Sequence, residues 1–264
     1  MIPKIIHYCW IGGAPLPELA KKCIESWKKC CPDYEIKEWN ESNYDFTQNV
    51  YMKEAYEAKK WGFVPDYARL DIIYRYGGFY LDTDVELLKS LDPFCTEKFY
   101  MGCEAREAVN PGLGFGAERG TPLLKEMMDS IYGDRHFICK DGSLDVTPSP
   151  RLNTSFLREK GLRLDGGIEK LNCGITIYPA EYFAPKDFKT GQVVLTDKTY
   201  SIHHYDASWM EPEDKQVLRI KWAMEKYRGV GKIVTYTSTK LLGLKRHLRM
   251  QGLQGTIQYI RDKR

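Results

Sequence analysis

One stretch, residues 65–87, narrows the fold more than any other: PDYARLDIIYRYGGFYLDTDVEL. Ala68, Ile72 and Tyr76 recur at helical spacing over residues 66–76. Gly77-Gly78 breaks that helix, and an apolar run then enters a strand. Asp82 and Asp84 lie two residues apart in that run. Residues i and i+2 of a strand share a face, so both carboxylates are expected to converge on one cation. Mg²⁺ and Mn²⁺ prefer such oxygen ligands, with phosphate oxygens completing the shell. An Asp-x-Asp pair in a solvated turn would carry little weight, but apolar strand residues bound this one.

The surrounding pattern supplies the sheet. KIIHYCWIG reads as a first buried strand closed by Gly12-Gly13. Residues 16–30 carry Leu19, Cys23, Ile24 and Trp27 on one helical face, residues 34–39 alternate at period two, and residues 51–61 are helical again. This β-α-β-α-α-β alternation points to an open α/β sheet, whose ligands bind at the carboxyl ends of the strands. Residues 105–150 read as loops around one helix, 122–131, and residues 175–205 as short strands. After Pro212 the character changes to basic helices interrupted at Gly229-Val-Gly231.

Charge divides the same way. Residues 215–264 hold 13 Lys and Arg against 2 Asp and Glu, a net +11, leaving −8 on the preceding 214. With 18 Tyr, 10 Phe and 6 Trp the chain can bury a core, which excludes a disordered protein. No long uncharged apolar run predicts a membrane-spanning helix, and the N-terminus lacks the apolar core of a signal peptide. The eight cysteines include an adjacent pair, Cys30-Cys31, and no CxxC, so reduced thiols are expected ahead of disulfides or zinc.

Three further groups are candidates. Asp66 and Arg69, one helical turn apart, read by spacing alone as a surface ion pair or a capping carboxylate. Trp10 ends the first strand beside two glycines, where a tryptophan either joins the core or stacks on a planar base. SIHHYDASW, residues 201–209, reads as the rim of a site.

Together HYCWIGG, the 65–84 block and IHH…SW resemble the DXD-type sugar transferases, closest to the capsular polysaccharide and Och1-like group and, more distantly, the clostridial glucosylating toxins. The resemblance covers residues 2–212 and is loose over 105–175. It implies an α/β fold of the GT-A, Rossmann-like kind over residues 1–212, with 213–264 as a basic helical extension. It also implies a UDP-sugar donor, galactose or glucose, and Mn²⁺ or Mg²⁺. Trp10 would stack on uracil. Asp66, Arg69 and Tyr80 would bind the donor sugar. Asp82 and Asp84 would hold metal and ribose, with Asp84 the direct ligand and His204 a further one. Ser208 and Trp209 would contact the diphosphate, and Asn110 is a weaker candidate on the acceptor side.

The expected reaction is retaining transfer to a saccharide, lipid-linked, in bacterial capsule, O-antigen or exopolysaccharide assembly. The expected place is the cytoplasm, with the basic tail on an anionic membrane at the inner face of the plasma membrane. The competing readings are an effector that glycosylates a protein, and a nucleic-acid-binding protein that uses the basic tail. Nucleic acid is not the expected partner.

Overall fold

The computed structural model describes residues 1–104, 108–206, 210, 212–225 and 227–262. Its elements run β1 (Ile5–Cys9), α1 (Glu18–Cys30), β2 (Glu35–Trp39), α2 (Val50–Glu57), α3 (Pro65–Tyr76), β3 (Gly78–Tyr80), β4 (Val85–Leu87), β5 (Phe99–Glu104), β6 (Ala108–Val109), β7 (Phe115–Ala117), α4 (Pro122–Tyr132), α5 (Ser149–Glu159), β8 (Glu169–Lys170), β9 (Thr176–Tyr178), α6 (Ala180–Phe183), β10 (Ser201–His203), α7 (Pro212–Met224) and α8 (Arg228–Asp262). The chain divides into two compact units, residues 1–186 with 194–205, and residues 187–193 with 206–264.

The first unit is built on an eight-stranded sheet of order β2-β1-β3-β7-β5-β9-β8, with β6 paired to β5. β1 is parallel to β2 and β3, and β5 is parallel to β9, while β7 runs antiparallel to both β3 and β5. β1, β3, β5 and β9 therefore all point the same way, and their carboxyl ends share one edge. The expected α/β class, an open and mostly parallel sheet flanked by helices, is the one observed.

Alternation along the strands feeds two cores. Cys9, Tyr80, Phe99 and Met101 join a cluster with α2 to α5, whereas Ile6, Tyr8, Phe79 and Tyr100 join one with α1 and α6. On the second side Trp27 of α1 is fully buried and its Nε1 donates to the Val85 carbonyl at 2.7 Å. Ser26 Oγ accepts from Leu87 N at 2.9 Å. α1 thus fixes β4, which pairs antiparallel with β10.

The junction between α3 and β3 depends on its glycines. Gly77 (φ 68°) closes α3 by donating to the Ile73 carbonyl at 2.8 Å. Gly78 (φ 104°) lies against the Ile5 carbonyl and the His7 ring, where a Cβ would stand 2.7 and 2.9 Å from them. The buried His7 accepts from Trp39 Nε1 at Nδ1 (3.0 Å), which leaves Nε2 to donate to the Gly77 carbonyl (2.9 Å). Two hydrogen bonds thereby define a neutral imidazole.

The structure departs from the sequence reading at several points. FYLDTDVEL is not one strand: Val85 N bonds back to the Asp82 carbonyl at 3.0 Å, so Asp82-Thr83-Asp84 forms a turn between β3 and β4. α2 ends at Glu57, short of Trp61. α5 falls at the margin of a region read as loops. All eight cysteines are unbridged.

In the second unit, α7 and α8 supply the basic helices, and Gly252 (φ 66°) kinks α8. Gly229 and Gly231 lie in the first turn of α8 rather than between helices. No described helix is long and apolar enough to cross a membrane.

Candidate active site

Four of the expected residues meet just beyond the carboxyl end of β3. Arg69, on α3, is 4% exposed and therefore no surface partner. Its Nη2 lies 3.1 Å from Asp66 Oδ1 and 3.5 Å from Asp82 Oδ1, its Nε donates to the Pro65 carbonyl at 3.0 Å, and its guanidinium sits 5.2 Å from the centre of the Tyr80 ring. A planar fork held at four points is a rigid positive charge between two carboxylates. The helix that begins at Pro65 is thereby tied to the Asp-Thr-Asp turn.

Burial pushes the Asp66 carboxyl up to about 6, against the pull of Arg69 and of the Ser149 hydroxyl at the start of α5. Burial raises Asp82 as well, again with Arg69 opposing. Both are acids whose charge this pocket tolerates because a cation faces them.

Asp82 and Asp84 converge with a histidine, by a different route from the one expected. Because they occupy a turn, it is the β4–β10 ribbon that closes the group. His203, across from Val85, places Nε2 3.1 Å from Asp84 Oδ1. One ligand atom each from Asp82, Asp84 and His203 lies within 4.8 Å of the others. The histidine here is His203 and not His204. Strand alternation turns His204 the other way, where its Nε2 meets Glu86 Oε2 at 2.8 Å. Burial opposes charge on His203, but Asp84 and the neighbouring acids outweigh it and raise its pKa.

The donor set fits a divalent cation. Two carboxylates and an imidazole are ligands that Mn²⁺ accepts, and Mg²⁺ would use the oxygens. His203 also keeps a buried Nδ1 with no hydrogen-bond partner. Space is reserved around the turn: a Cβ on Gly112 would collide with Asp82 Oδ2, and Asp82 N donates to the Gly112 carbonyl at 3.2 Å.

The remaining expected residues are spread around this centre. Trp10 follows β1, half-buried, with Nε1 donating to the Ala14 carbonyl at 2.5 Å. Tyr80 is buried against Arg69 and Cys9. Asn110 is buried, with Oδ1 accepting from Gly112 N at 2.7 Å and Nδ2 donating to Glu104 Oε2 at 2.9 Å. Ser208 and Trp209 lie outside the described residues. Sequence reading missed Ser149, Glu104 and the choice of His203. Period-two alternation over 201–204 could have found the last.

Against known proteins, residues 17–100 match the model of the glycosyltransferase sugar-binding region containing the DXD motif. The chain is 29% identical to inositol phosphoceramide mannosyltransferase 3 of Schizosaccharomyces pombe over 137 residues, 49% of this chain and 37% of that protein. It is 27% identical to mannosyltransferase 1 of the same yeast, over 52% of this chain and 45% of that one. A third relative, the uncharacterized glycosyltransferase L373 of Acanthamoeba polyphaga mimivirus, is 32% identical over 38% of this chain and 42% of its own. The matched segment spans less than half the length of each relative. Among solved structures, the PaToxG glycosyltransferase superposes with a TM-score of 0.48 at 19% identity, over 61% of this chain and 70% of that one. The Asp82–Asp84 turn and the helix that carries Asp66 and Arg69 fall inside residues 17–100, the segment similar to the DXD-containing sugar-binding region of glycosyltransferases.

Proposed function

We propose that the chain is a metal-dependent, retaining hexosyltransferase that takes its sugar from a UDP-sugar and delivers it to a saccharide acceptor, lipid-linked, in bacterial surface polysaccharide assembly. The observation that carries this reading is the union of Asp82, Asp84 and His203 with the Arg69–Asp66 pair at one end of the sheet. Galactose or glucose is the hexose expected from the resemblance. The names of the two yeast relatives add mannose to the hexoses to be tested, and their lipid acceptor supports a lipid-linked one here.

In this mechanism Asp82, Asp84 and His203 hold the cation. When bound, it supplies charge that stabilises the departing diphosphate. Asp66 and Arg69 bind donor hydroxyls, with Tyr80 closing the pocket beneath the guanidinium. Trp10 stacks on the base at the end of β1. Ser208 and Trp209 complete the diphosphate contacts. No covalent intermediate is invoked: the acceptor attacks from the face that the leaving group vacates.

The tail serves the lipid acceptor. On α8, Val230, Ile233 and Leu241 are exposed and interleave with Lys232, Lys240 and Lys245. Such a face suits an anionic bilayer, each cation adding about 1 kcal/mol near the lipid. Flotation with phosphatidylserine vesicles checks this, and undiminished binding by Lys240→Glu/Lys245→Glu would refute it.

The deciding experiment is donor hydrolysis. Purified protein is offered UDP- and GDP-hexoses with Mn²⁺, Mg²⁺ or EDTA, beside Asp84→Ala. Metal-dependent nucleotide release from one donor, lost in Asp84→Ala, establishes the reading. No release and no nucleotide binding by calorimetry refutes it.

A further inference from the structure

We infer that Glu104 is the carboxylate that receives the acceptor: it holds the attacking hydroxyl and takes its proton. This rests on the donor reading above and extends it to the other reactant. Glu104 is the last residue of β5. β5 points the same way as β1 and β3, so Glu104 emerges at the sheet edge that also carries Trp10 and the Asp82–Asp84 turn. In an open α/β sheet that edge is where ligands sit.

The clamp around Glu104 settles which group is free to act. Both ends of the Asn110 amide are engaged, Oδ1 by Gly112 N at 2.7 Å and Nδ2 by Glu104 Oε2 at 2.9 Å. Gly112 in turn packs directly on Asp82 Oδ2, with Asn110 Oδ1 beside the same spot, 3.0 Å from where a Cβ would stand. Asn110 is therefore a positioning residue that fixes Glu104 relative to Asp82. Glu104 keeps its second oxygen: among the described residues Oε1 accepts no hydrogen bond and no cation pairs with the carboxylate. Its side chain is only partly buried, and its charge reaches His203. A half-open carboxylate, held by one oxygen at the same sheet edge as the cluster, suits a polyhydroxylated molecule that arrives from solvent.

The step balances without a further reagent. An oxygen pair of the acceptor hydroxyl forms the bond to the anomeric carbon. The bond from that carbon to the diphosphate breaks, and its pair leaves on the phosphate oxygen. The hydroxyl proton passes to Glu104 Oε1 and from there to water, rather than to the departing phosphate. When no acceptor is present, water takes the hydroxyl's place.

Glu104→Gln tests this in the full chain, because a carboxamide oxygen still accepts from Asn110 Nδ2. The probes are the nucleotide-hexose that the wild type hydrolyses, Mn²⁺, and water as nucleophile. The donor should bind in the presence of Mn²⁺ within about twofold of wild type by calorimetry, while nucleotide release falls at least ~100-fold, the usual contribution of a positioned base. Formate should restore release to Glu104→Ala, a rescue that a merely structural role would not give. Undiminished release by Glu104→Gln, loss of donor binding, absence of formate rescue, or a glycosyl adduct on Glu104 by mass spectrometry would each overturn the inference. A wild type that binds and hydrolyses no donor would instead bring down the donor reading, and this inference with it.

Discussion

Replacing Asp66 with Asn should change how the fold's stability depends on pH. The Asp66 side chain is 6% exposed and 3.1 Å from Arg69. Burial opposes its charge and Arg69 favours it, and the balance lies with burial: its pKa rises from 3.8 to about 6. An acid raised in this way holds a proton in the folded chain that the unfolded chain has released. Stability therefore falls as pH rises from 3.8 to 6, by about 3 kcal/mol at 1.4 kcal/mol per unit. His7 acts in the opposite sense. Burial lowers it from 6.5 to about 4, so the unfolded chain takes up the proton first, and stability rises by about 3 kcal/mol between pH 4 and 6.5. In the wild type the two contributions nearly cancel. Asp66→Asn removes one of them. Urea unfolding at half-unit steps from pH 4 to 7 should show the variant gaining about 3 kcal/mol on the wild type as pH rises. A difference that stays constant across this range would mean that Asp66 is ionised throughout and that Arg69, not burial, governs the pocket.

The complementary change, His7→Gln, should leave the Asp66 contribution alone, so that the variant loses about 3 kcal/mol relative to wild type between pH 4 and 6.5 in the same titration. Gly112→Ala forces Asp82 from its place and should weaken Mn²⁺ binding by about 10- to 100-fold, read by electron paramagnetic resonance of free Mn²⁺. In the same assay His203→Gln should weaken Mn²⁺ binding and His204→Gln should not, because Glu86 already engages His204. Equal losses in both would contradict the ligand assignment.

How much of this was readable in the sequence follows from range. α3, its Gly-Gly stop and the strand after it are local events, written in helical periodicity and in two positions that need positive φ. The Asp82–Asp84 pair was found for a reason that the structure replaces: the carboxylates meet through a turn, set when Val85 N bonds to the Asp82 carbonyl. α5 was missed because Pro148 and Pro150 mark a break, although proline also suits a helix's first turn and Leu152, Phe156 and Leu157 follow at helical spacing. Asp66 and Arg69 looked like a surface pair because i,i+3 spacing carries no information on burial. Glu104 has no local signature at all. Its place depends on β5 lying beside β7 and β9, and on the pairing of β6 with β5 that sets Asn110 near the end of β5.

The Asp66–Arg69–Asp82 group argues that this end of the sheet is not shaped for stability. Burying Asp66 and Arg69 beside the partly exposed Asp82 costs several kcal/mol, and apolar replacements of such buried pairs are often neutral or stabilising. Here the cost leaves Asp66 with a pKa of about 6, close to being discharged in its own pocket. What the arrangement secures is orientation: Arg69, fixed by the Pro65 carbonyl and the Tyr80 ring, holds the oxygen of Asp82 that faces away from Gly112. Apolar replacement of the buried pair, Asp66→Leu with Arg69→Met, would therefore preserve or raise the unfolding midpoint while freeing Asp82 and weakening Mn²⁺ binding. A variant that lost stability and kept full Mn²⁺ affinity would show the group to be structural after all.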